Sequence, residues 1–322
     1  MLYSNESTKL YLKGELNMNQ EEILRKLQKP KGRVDVVIDT DTFNEIDDQF
    51  ALSYLIKSED KLNLKAIYAA PFFNEKSTGP EEGMEKSYDE IMNLLELMDR
   101  EDYKSITFKG SRTYLPNEHN AVDSPAARNL IELAMARKDE EPLYVIAIGA
   151  ITNVASAILL EPKIVDKIVL IWLGGHAHDW PRNNEFNLIQ DIAAARIVFG
   201  CGVPLVQLPC LGVVSSFTTT EHELKYWLKD RNKLCDYLLA ATIKEAESME
   251  ESTCWSRVIW DVTAVAWLLE DEGKFMNDRL VHSPIPEYDD YYAFSKSRHL
   301  IKYVYEIRRD FLLEHLFKTL IK

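Results

Sequence analysis

Short apolar runs alternate with amphipathic stretches over the first two thirds of the chain. The apolar runs are rich in valine, isoleucine and leucine, as strands buried on both faces of a sheet require. They predict strands over residues 34–38, 62–70, 106–109, 143–148, 168–173 and 204–208. Apolar residues at helical spacing follow the first five runs and predict helices over residues 45–56, 84–98 and 125–135, in the stretch ending at 160, and over 188–199. This order predicts an α/β fold with a mostly parallel central sheet flanked by helices and a Rossmann-like core.

The pattern changes after residue 218, where mainly helical stretches replace the alternation. This part predicts helices over 234–247 and 258–269, strands over 280–307, and a last amphipathic helix over 310–320. Residues 1–32 are polar and lysine-rich, and we interpret them as a peripheral N-terminal extension. We therefore predict a single domain over residues 33–322, with a helical insertion near its C-terminal half.

Composition changes this picture mainly by exclusion. The 322-residue chain has 38 basic and 52 acidic residues, so its net charge of −14 disfavours binding to nucleic acids or anionic membranes. Its cysteines show no metal-binding spacing and are predicted to be buried free thiols: Cys201, Cys210, Cys235 and Cys254. No signal peptide and no apolar run of about 18 residues is found, which predicts a cytoplasmic protein without membrane contact.

The first predicted strand leads into the densest group of acids, in the segment VDVVIDTDTFNEIDDQF (34–50). Around one strand-to-helix turn it places the carboxylates of Asp39, Asp41, Asp47 and Asp48. Each close pair of ionised carboxylates repels by roughly 4 kcal/mol at an effective dielectric constant of about 20. Protons, or a hard divalent cation that prefers oxygen ligands, would remove this repulsion. The structural alternative is an ordinary helix start, with Asn44 as N-cap and acidic residues in the first turn.

Further polar residues follow other predicted strands. Asn74 comes after the second strand, Thr152 after the fourth, and Glu185 and Asn187 after the fifth. Because open α/β sheets bind ligands at the carboxyl ends of their strands, we expect these residues to share one site with the clustered acids. Asp261 interrupts the apolar run VIWDV, and an unpaired buried carboxylate is costly, so we interpret it as a functional residue.

Five segments, in this order, resemble the inosine-uridine-preferring nucleoside hydrolase family. They are DTDTFNEIDDQFAL for the family's DxDxxxDD signature, the asparagine Asn74, GAITN, NEFNLIQDIAA for the family's AEFNxxxDPEAA, and WDVTAVAWLL. The resemblance implies a nucleoside hydrolase-like fold. It also implies calcium-dependent hydrolysis of the N-glycosidic bond of a ribonucleoside, which gives ribose and free base.

Site residues are carried over from the resemblance by position. It implies that Ca²⁺ is bound by Asp41, Asp48, Asp261 and the main-chain carbonyl of Thr152. Asp41 would also activate the metal-bound water that attacks C1′ through an oxocarbenium-like transition state. The implied ribose contacts are Asp47 at the 2′-hydroxyl, Asn187 and Asp261 near the 2′- and 3′-hydroxyls, Glu185 at the 5′-hydroxyl, and Asn74. The implied partner is a small-molecule nucleoside, and family members are usually homodimers or homotetramers.

Two features depart from the family pattern. Residues 42–46 separate the second aspartate from the DD pair, where the family has three residues, so Asn44 and Glu45 either contact the ligand or only lengthen the turn. Trp260 stands where many members carry a histidine that protonates the departing base, and it is either a stacking partner for the base or a core aromatic residue. The candidate replacement acids are His176, His178 and His119.

Two alternatives to a ribonucleoside hydrolase follow from these departures. One is a nucleoside- or ribose-binding protein that keeps the metal site but is catalytically impaired. The other is a hydrolase of a modified N-glycoside. An aspartate-nucleophile phosphatase is disfavoured, because the Glu185-Phe186-Asn187 segment would have no role in it.

Overall fold

The computed structural model of the protein describes residues 18–138, 140–249, 254–270 and 273–322. Residues 1–17, which make up most of the predicted extension, lie outside the described residues. The remainder contains helix α1 (Gln20–Lys26), which begins with a capping box between Asn19 and Glu22. Ile23 and Leu27 are buried in the main core, so this short segment adds apolar contacts to the domain.

Twelve strands are present in the described residues. They are β1 (Val34–Thr40), β2 (Leu62–Ala69), β3 (Thr107–Lys109), β4 (Leu143–Ala147), β5 (Ile168–Leu173), β6 (Leu205–Leu208), β7 (Thr218–Thr220), β8 (Ser256–Val258), β9 (Met276–His282), β10 (Ile285–Pro286), β11 (Tyr292–Ala293) and β12 (Leu300–Ile307). All six strands predicted before residue 218 are confirmed, as are strands within 280–307. The small antiparallel pairs β7–β8 and β10–β11 lie outside the main sheet.

The other eight strands form one central sheet in the order β3-β2-β1-β4-β5-β6-β12-β9. Neighbouring strands are parallel except β9, which runs antiparallel to β12 at the edge of the sheet. The predicted mostly parallel sheet is therefore confirmed. The strand order reverses between β1 and β4, which pair side by side and in parallel. Ligands of open α/β proteins bind at such a switch point, beyond the carboxyl ends of the strands.

Helices cover both faces of the sheet. They are α2 (Asp47–Ile56), α3 (Pro80–Leu97), α4 (Pro125–Met135), α5 (Thr152–Leu160), α6 (Phe186–Gln190), α7 (Ile192–Gly200), α8 (Glu221–Leu228), α9 (Lys233–Met249), α10 (Val262–Leu269) and α11 (Arg309–Leu320). Alternate residues of β1 supply the two cores: Val36 and Ile38 pack into one layer with α2, α3 and α10, and Val37 packs into the other with α4, α5 and α7. A strand buried on both faces explains the continuous apolar run in the sequence.

The helical insertion begins and ends in a small antiparallel ribbon. β7 pairs with β8, with Thr218 opposite Val258, and helices α8 and α9 lie between these strands in the chain. α10 follows and packs against α2, all of whose ten residues are buried. The insertion thereby returns the chain to the carboxyl end of β1.

Several predicted helix ends were wrong. Asn44 is not the N-cap of α2, and its side chain is engaged by Asn74. Ile46 takes the N-cap position, and its apolar side chain makes no capping hydrogen bond. The stretch predicted over 188–199 divides at Asp191, whose carboxylate accepts from the Ala194 amide and begins α7. The helix predicted from residue 258 begins only at Val262, because Val258 is the last residue of β8 and residues 259–261 connect it to α10.

The cysteines form no disulfide. Three are buried, as predicted, but Cys254 is exposed. Within the residues that the structure describes, no helix is both long and apolar enough to cross a membrane.

Candidate active site

A cavity of about 350 Å³ lies at the switch point of the sheet. Its lining comes from the turn after β1, the segments after β4, β5 and β6, and the residues that precede α10. The predicted site residues that line it are Asp41, Asn44, Asp47, Asp48, His176, Glu185, Asn187, Trp260 and Asp261. Segments more than 200 residues apart in sequence meet here, such as those of Asp47 and Asp261. Asp47 begins α2 and Asp261 precedes α10, and these two helices pack against each other.

Three carboxylates form the tightest acidic group. Oxygen atoms of Asp47, Asp48 and Asp261 all lie within 4.8 Å of one another, and all three residues are buried. Asp47 and Asp48 begin α2, and Asp261 precedes α10, so the positive ends of two helix dipoles converge on the group. The Asp261 amide also donates to Asp47 Oδ2 at 3.3 Å. This group can hold a metal ion.

Asp41 lies in the same cavity and has no hydrogen-bonding partner for either carboxylate oxygen, although both are buried. Gly149, in the turn after β4, leaves room for it, since a Cβ atom at Gly149 would come within 3.1 Å of Asp41 Cγ. Asp39 does not line the cavity and instead accepts from Asn153 Nδ2 at 2.8 Å. The geometry therefore separates the two aspartates, and only Asp41 is available to a ligand of the cavity.

The clustered acids are electrostatically strained without a cation. Burial is the main cause that raises the pKa of Asp48 to about 7, against its hydrogen bond from Thr40. Burial and repulsion from neighbouring carboxylates raise the pKa of Asp41, Asp47 and Asp261 well above the ordinary range. Carboxylates in this state bind either protons or a cation.

Glu185 and Asn187 line the same cavity, and backbone groups hold both. The Glu185 carboxylate accepts from the amides of Gly175, Asn187 and Leu188 at 2.8, 2.8 and 2.9 Å. Glu185 is thereby the N-cap residue of helix α6. Burial still raises the pKa of this carboxylate. Asn187 Nδ2 donates to the carbonyls of Ile148 and Leu173, both at 3.1 Å. Its Oδ1 atom is thereby directed to act as an acceptor.

Thr152 begins α5, but its residue does not line the cavity. Its hydroxyl donates to Asp191 Oδ2 at 2.7 Å, and Asp191 also accepts from the amide of Leu115. The aspartate of the NEFNLIQDIAA segment therefore joins the start of α7 to the first residue of α5. This contact is structural and fixes the carboxyl end of β4 beside Asp41.

The longer turn after β1 is fastened by charged residues from three other segments. Lys76 Nζ donates to the carbonyl of Asn44 at 2.5 Å and pairs with Glu245 of α9 at 3.2 Å. Arg257 of β8 pairs with Glu245 at 2.9 Å and with Glu45 at 3.5 Å. Glu45 lines the cavity, so the helical insertion helps to build the cavity wall.

Asn74 lies behind this turn and not in the cavity lining. Its Nδ2 donates to Asn44 Oδ1 at 2.6 Å, and its Oδ1 accepts from the Lys76 amide at 2.9 Å. The residue predicted to contact the sugar therefore touches Asn44, which does line the cavity. Sequence order alone did not show that Asn44 lines the cavity while Asn74 supports it from behind.

The predicted base-contacting residues divide into two groups. Trp260 and His176 line the cavity, and His176 Nδ1 accepts from the Leu211 amide at 3.3 Å, which places the ring proton on Nε2. Burial lowers the pKa of His176 to about 4, so it is neutral near pH 7. His178 is outside the lining, because it packs among Tyr292, Phe294 and Tyr303 and pairs with Gln207. His119 is also outside it.

Sequence reasoning missed several lining residues, among them Cys210, Leu211 and Asn184. Cys210 follows β6, and its thiol shares a hydrogen bond with Glu185. Burial raises the pKa of this thiol well above its usual range, so it is a neutral donor. The position of Cys210 after a strand was the available signal. Cys210 was not assigned to the site from the sequence, because a single cysteine without metal-binding spacing does not indicate a function.

The residues present fit a hard cation. The buried donors nearest one another are carboxylate oxygens, and Asp41 adds two more oxygen atoms without partners. Hard divalent ions such as Ca²⁺ and Mg²⁺ prefer such oxygen ligands, whereas zinc sites usually contain histidine or cysteine. His176 and Cys210 are engaged by Leu211 and Glu185 instead.

Fold and cavity define an α/β protein with a candidate cation site at the switch point of its sheet. The chain matches the sequence profile of the family described as inosine-uridine preferring nucleoside hydrolase over residues 36–292. It belongs to that family.

Individual relatives agree with this assignment. The pyrimidine-specific ribonucleoside hydrolase RihB of Escherichia coli O1:K1 is 33% identical over 96 residues, which are 29% of this chain and 30% of the relative. RihB of Escherichia fergusonii gives the same values. The alignment thus spans less than a third of the length of these curated relatives.

Solved structures match over nearly the whole chain. A plant nucleoside hydrolase has a TM-score of 0.71 at 19% identity, covering 91% of this chain and 99% of that one. The purine-preferring ribonucleoside hydrolase from Gardnerella vaginalis has a TM-score of 0.71 at 18% identity, covering 89% and 98%. At such identities the likeness shows the fold, and it confirms the predicted nucleoside hydrolase-like architecture.

Proposed function

We propose that the protein hydrolyses the N-glycosidic bond of a ribonucleoside and releases ribose and free base. The observation that carries this proposal is the buried group of Asp41, Asp47, Asp48 and Asp261 in one cavity, in a chain of the nucleoside hydrolase family. The cavity volume of about 350 Å³ lies within the usual range of roughly 300–1,000 Å³ for small-molecule sites. Its many acceptor oxygens suit a ligand with several hydroxyl groups.

We propose calcium as the metal, with Asp41, Asp48 and Asp261 as its ligands. The Thr152 carbonyl, which the family resemblance implies as a further ligand, belongs to a residue outside the cavity lining. When bound, the ion would neutralise the carboxylates and lower the pKa of a coordinated water. Asp41 takes the proton from the water that attacks C1′, since its two oxygens have no protein donor. Asp47 belongs to the same close group, so it is a further potential ligand as well as the proposed contact for the 2′-hydroxyl.

The remaining residues position the sugar and the base. Asn187 Oδ1 and the Glu185 carboxylate provide further acceptors for ribose hydroxyls in the same cavity. As the C1′–N bond breaks, positive charge develops on the sugar, and the nearby carboxylates stabilise it. Trp260 lines the cavity where it can stack on a base, and stacking orients the base for departure.

The test is a nucleoside panel with added calcium, assayed for reducing sugar with the wild-type protein and an Asp41→Ala variant. We expect release of ribose by the wild type and loss of at least about a hundredfold in the variant, the size expected when a general base is removed. Base preference is read from the panel. Release at equal rates by both proteins would overturn the proposed role of Asp41.

The second candidate is a nucleoside-binding protein without efficient catalysis. It is favoured by Trp260, which stands where many family members carry a histidine that protonates the departing base. Equilibrium binding of inosine and uridine, measured together with sugar release, separates the two. Binding without release supports the second candidate. Neither binding nor release by the calcium-loaded protein would contradict both.

A further inference from the structure

Backbone groups determine the orientation of two side-chain amides beside the cavity, those of Asn74 and Asn44. The main-chain amide of Lys76 can only donate, and it donates to one side-chain atom of Asn74. That atom must therefore be Oδ1, and Nδ2 of Asn74 must face the other way. Nδ2 faces the Asn44 side chain at 2.6 Å, so the Asn44 atom that it meets is Oδ1.

This chain of contacts leaves Asn44 Nδ2 as the atom available to a ligand. The other polar groups of Asn44 are occupied: its amide donates to the Asp41 carbonyl at 2.7 Å, and its carbonyl accepts from Lys76 Nζ at 2.5 Å. Asn44 is 7% exposed and lines the cavity, and its Nδ2 atom is not among the described atoms that are fully buried without a partner. Asn44 Nδ2 therefore keeps some exposure and has no protein partner among the described residues for its two N–H groups, in a residue that lines the cavity.

The other polar groups of the cavity make this donor distinctive. The carboxylates and Asn187 Oδ1 are acceptors, which suits the hydroxyl protons of a ribose. A departing nucleobase has the opposite need, because the electron pair of the C1′–N bond stays on the base and turns its ring nitrogens and carbonyl oxygens into stronger acceptors. A neutral amide donor fixed before the reaction stabilises that developing charge without reorganisation.

We propose that Asn44 Nδ2 donates a hydrogen bond to an unprotonated ring nitrogen of the nucleobase, and that Asn74 is a positioning residue that fixes this amide. The inference rests on the proposed hydrolysis of nucleosides and deepens it. Asn44 stabilises the base as it leaves and transfers no proton; the base takes its proton from solvent, and the attacking water gives its own to Asp41. The substrate class is a nucleoside whose base carries an unprotonated acceptor toward the turn after β1.

Three variants test this proposal. Asn44→Leu removes the donor at nearly constant volume. Asn74→Asp keeps the acceptor for the Lys76 amide but has no N–H, so Asn44 must turn its Nδ2 toward the new carboxylate and present Oδ1 to the cavity. Asn117→Asp is the matched control, because Asn117 Oδ1 accepts from an amide two residues later, as Asn74 does, but lies outside the cavity.

Each variant is assayed with inosine, 7-deazainosine, 3-deazainosine and 3′-deoxyinosine. For inosine we expect Asn44→Leu to lower kcat/KM roughly tenfold, mainly through kcat, which corresponds to one neutral hydrogen bond. Asn74→Asp is expected to lose at least as much, because Asn44 Oδ1 then faces the acceptor atom of the base and the two repel each other. Both losses should shrink to about twofold or less with the deaza analogue that lacks the contacted nitrogen, as a double-mutant cycle requires.

Two outcomes would overturn the inference. One is an equal loss with all three bases, which would show a structural role for the Asn44–Asn74 pair. The other is a loss that disappears only with 3′-deoxyinosine, which would assign Asn44 to the sugar. Equilibrium binding of inosine and its deaza analogues separates this inference from the proposed function. Base-dependent weakening without any sugar release would support the Asn44 contact while contradicting hydrolysis.

Discussion

Glu185 and Asp41 are both buried carboxylates that line the same cavity, but their surroundings are opposite. Glu185 accepts from three backbone amides and a thiol. Asp41 has no donor for either oxygen and lies beside three further carboxylates. Burying a carboxylate costs several kcal/mol unless hydrogen bonds or a counter-charge compensate it. The part of the cavity lined by Glu185 and Asn187 (the Glu185 wall) finds this compensation within the protein. The part lined by Asp41, Asp47, Asp48 and Asp261 (the Asp41 wall) does not.

The difference shows how one cavity can combine a rigid wall with a reactive one. The Glu185 wall is built by a loop whose own amides bind the carboxylate, so its position does not depend on a ligand. The Asp41 wall is built from acids at two helix starts and becomes electrostatically balanced only with protons or a cation. Binding of a cation should therefore stabilise the folded protein through the Asp41 wall and not through the Glu185 wall.

The largest expected effect is that of Asp41→Asn, with Asp35→Asn as its control. We expect activity to fall by about a hundredfold or more. The thermal midpoint in chelator should rise, because the variant removes a buried carboxyl group that must either take up a proton or carry an uncompensated charge. Asp35 lies on the same strand but pairs with Arg137 at 2.6 Å, so its variant should lower the midpoint. Activity assays and thermal unfolding in chelator provide the measurement. A lower midpoint for Asp41→Asn would contradict the proposed imbalance.

Calcium should stabilise the protein through the Asp41 wall. At a calcium concentration of about 100 times Kd we expect a gain of roughly 2.7 kcal/mol in the free energy of unfolding, and chelator should abolish both this gain and the activity. Urea unfolding with and without calcium measures it. Glu185→Gln should retain the gain and Asp48→Asn should lose most of it. No change with calcium in the wild type would contradict the metal assignment.

Glu185→Gln should be costly for a different reason. The glutamine amide places N–H groups against backbone N–H groups, and we expect a loss of about 1–3 kcal/mol in unfolding free energy, with or without calcium. Glu161→Gln is the control, because Glu161 also caps a helical turn but lies outside the cavity. Chemical denaturation measures both. A loss that appears only with calcium would erase the distinction between the two walls.

The metal-free protein should also show a pH dependence of its stability. Burial raises the pKa of Asp39 and Asp48 to about 7, from an ordinary value of 3.8. Between these values the folded state binds more protons than the unfolded state, so the unfolding free energy falls as pH rises from about 4 to about 7. Urea midpoints at pH 5 and pH 7.5 in chelator should show this fall. Calcium should reduce it, since ion binding requires ionised acids; an equal slope with calcium would count against this prediction.

Much of the fold could be predicted because local patterns decide it. The β-branched runs identified every strand before residue 218, and helical spacing predicted α4 over 125–135. The Ser124 hydroxyl caps this helix by accepting from the Ala127 amide. Helix boundaries failed where side chains are used for tertiary contacts. Asn44 has the chemistry of an N-cap, but its amide is paired with Asn74, and the helix begins without a side-chain cap.

The candidate site divides in the same way. Spacing and residue type identified the acids after β1, as well as Glu185, Asn187 and Asp261, because the carboxyl ends of parallel strands meet at one edge. They did not separate Asn74 from Asn44, or His178 from His176. Each of these choices depends on which face a side chain presents. That is decided by partners about 30 residues away in the sequence, such as Asn74 for Asn44 and Gln207 for His178.

By itself, the sequence determined the alternation of strands and helices, the clustering of acids at the end of β1 and the family resemblance, since these depend on local order and residue type. Only the tertiary structure decided that Asp41 is without partners while Asp39 is paired with Asn153. It also decided that charged residues of the insertion fasten the longer turn through Glu245 and Arg257. These outcomes depend on burial and on contacts between segments far apart in the chain, which no local pattern encodes.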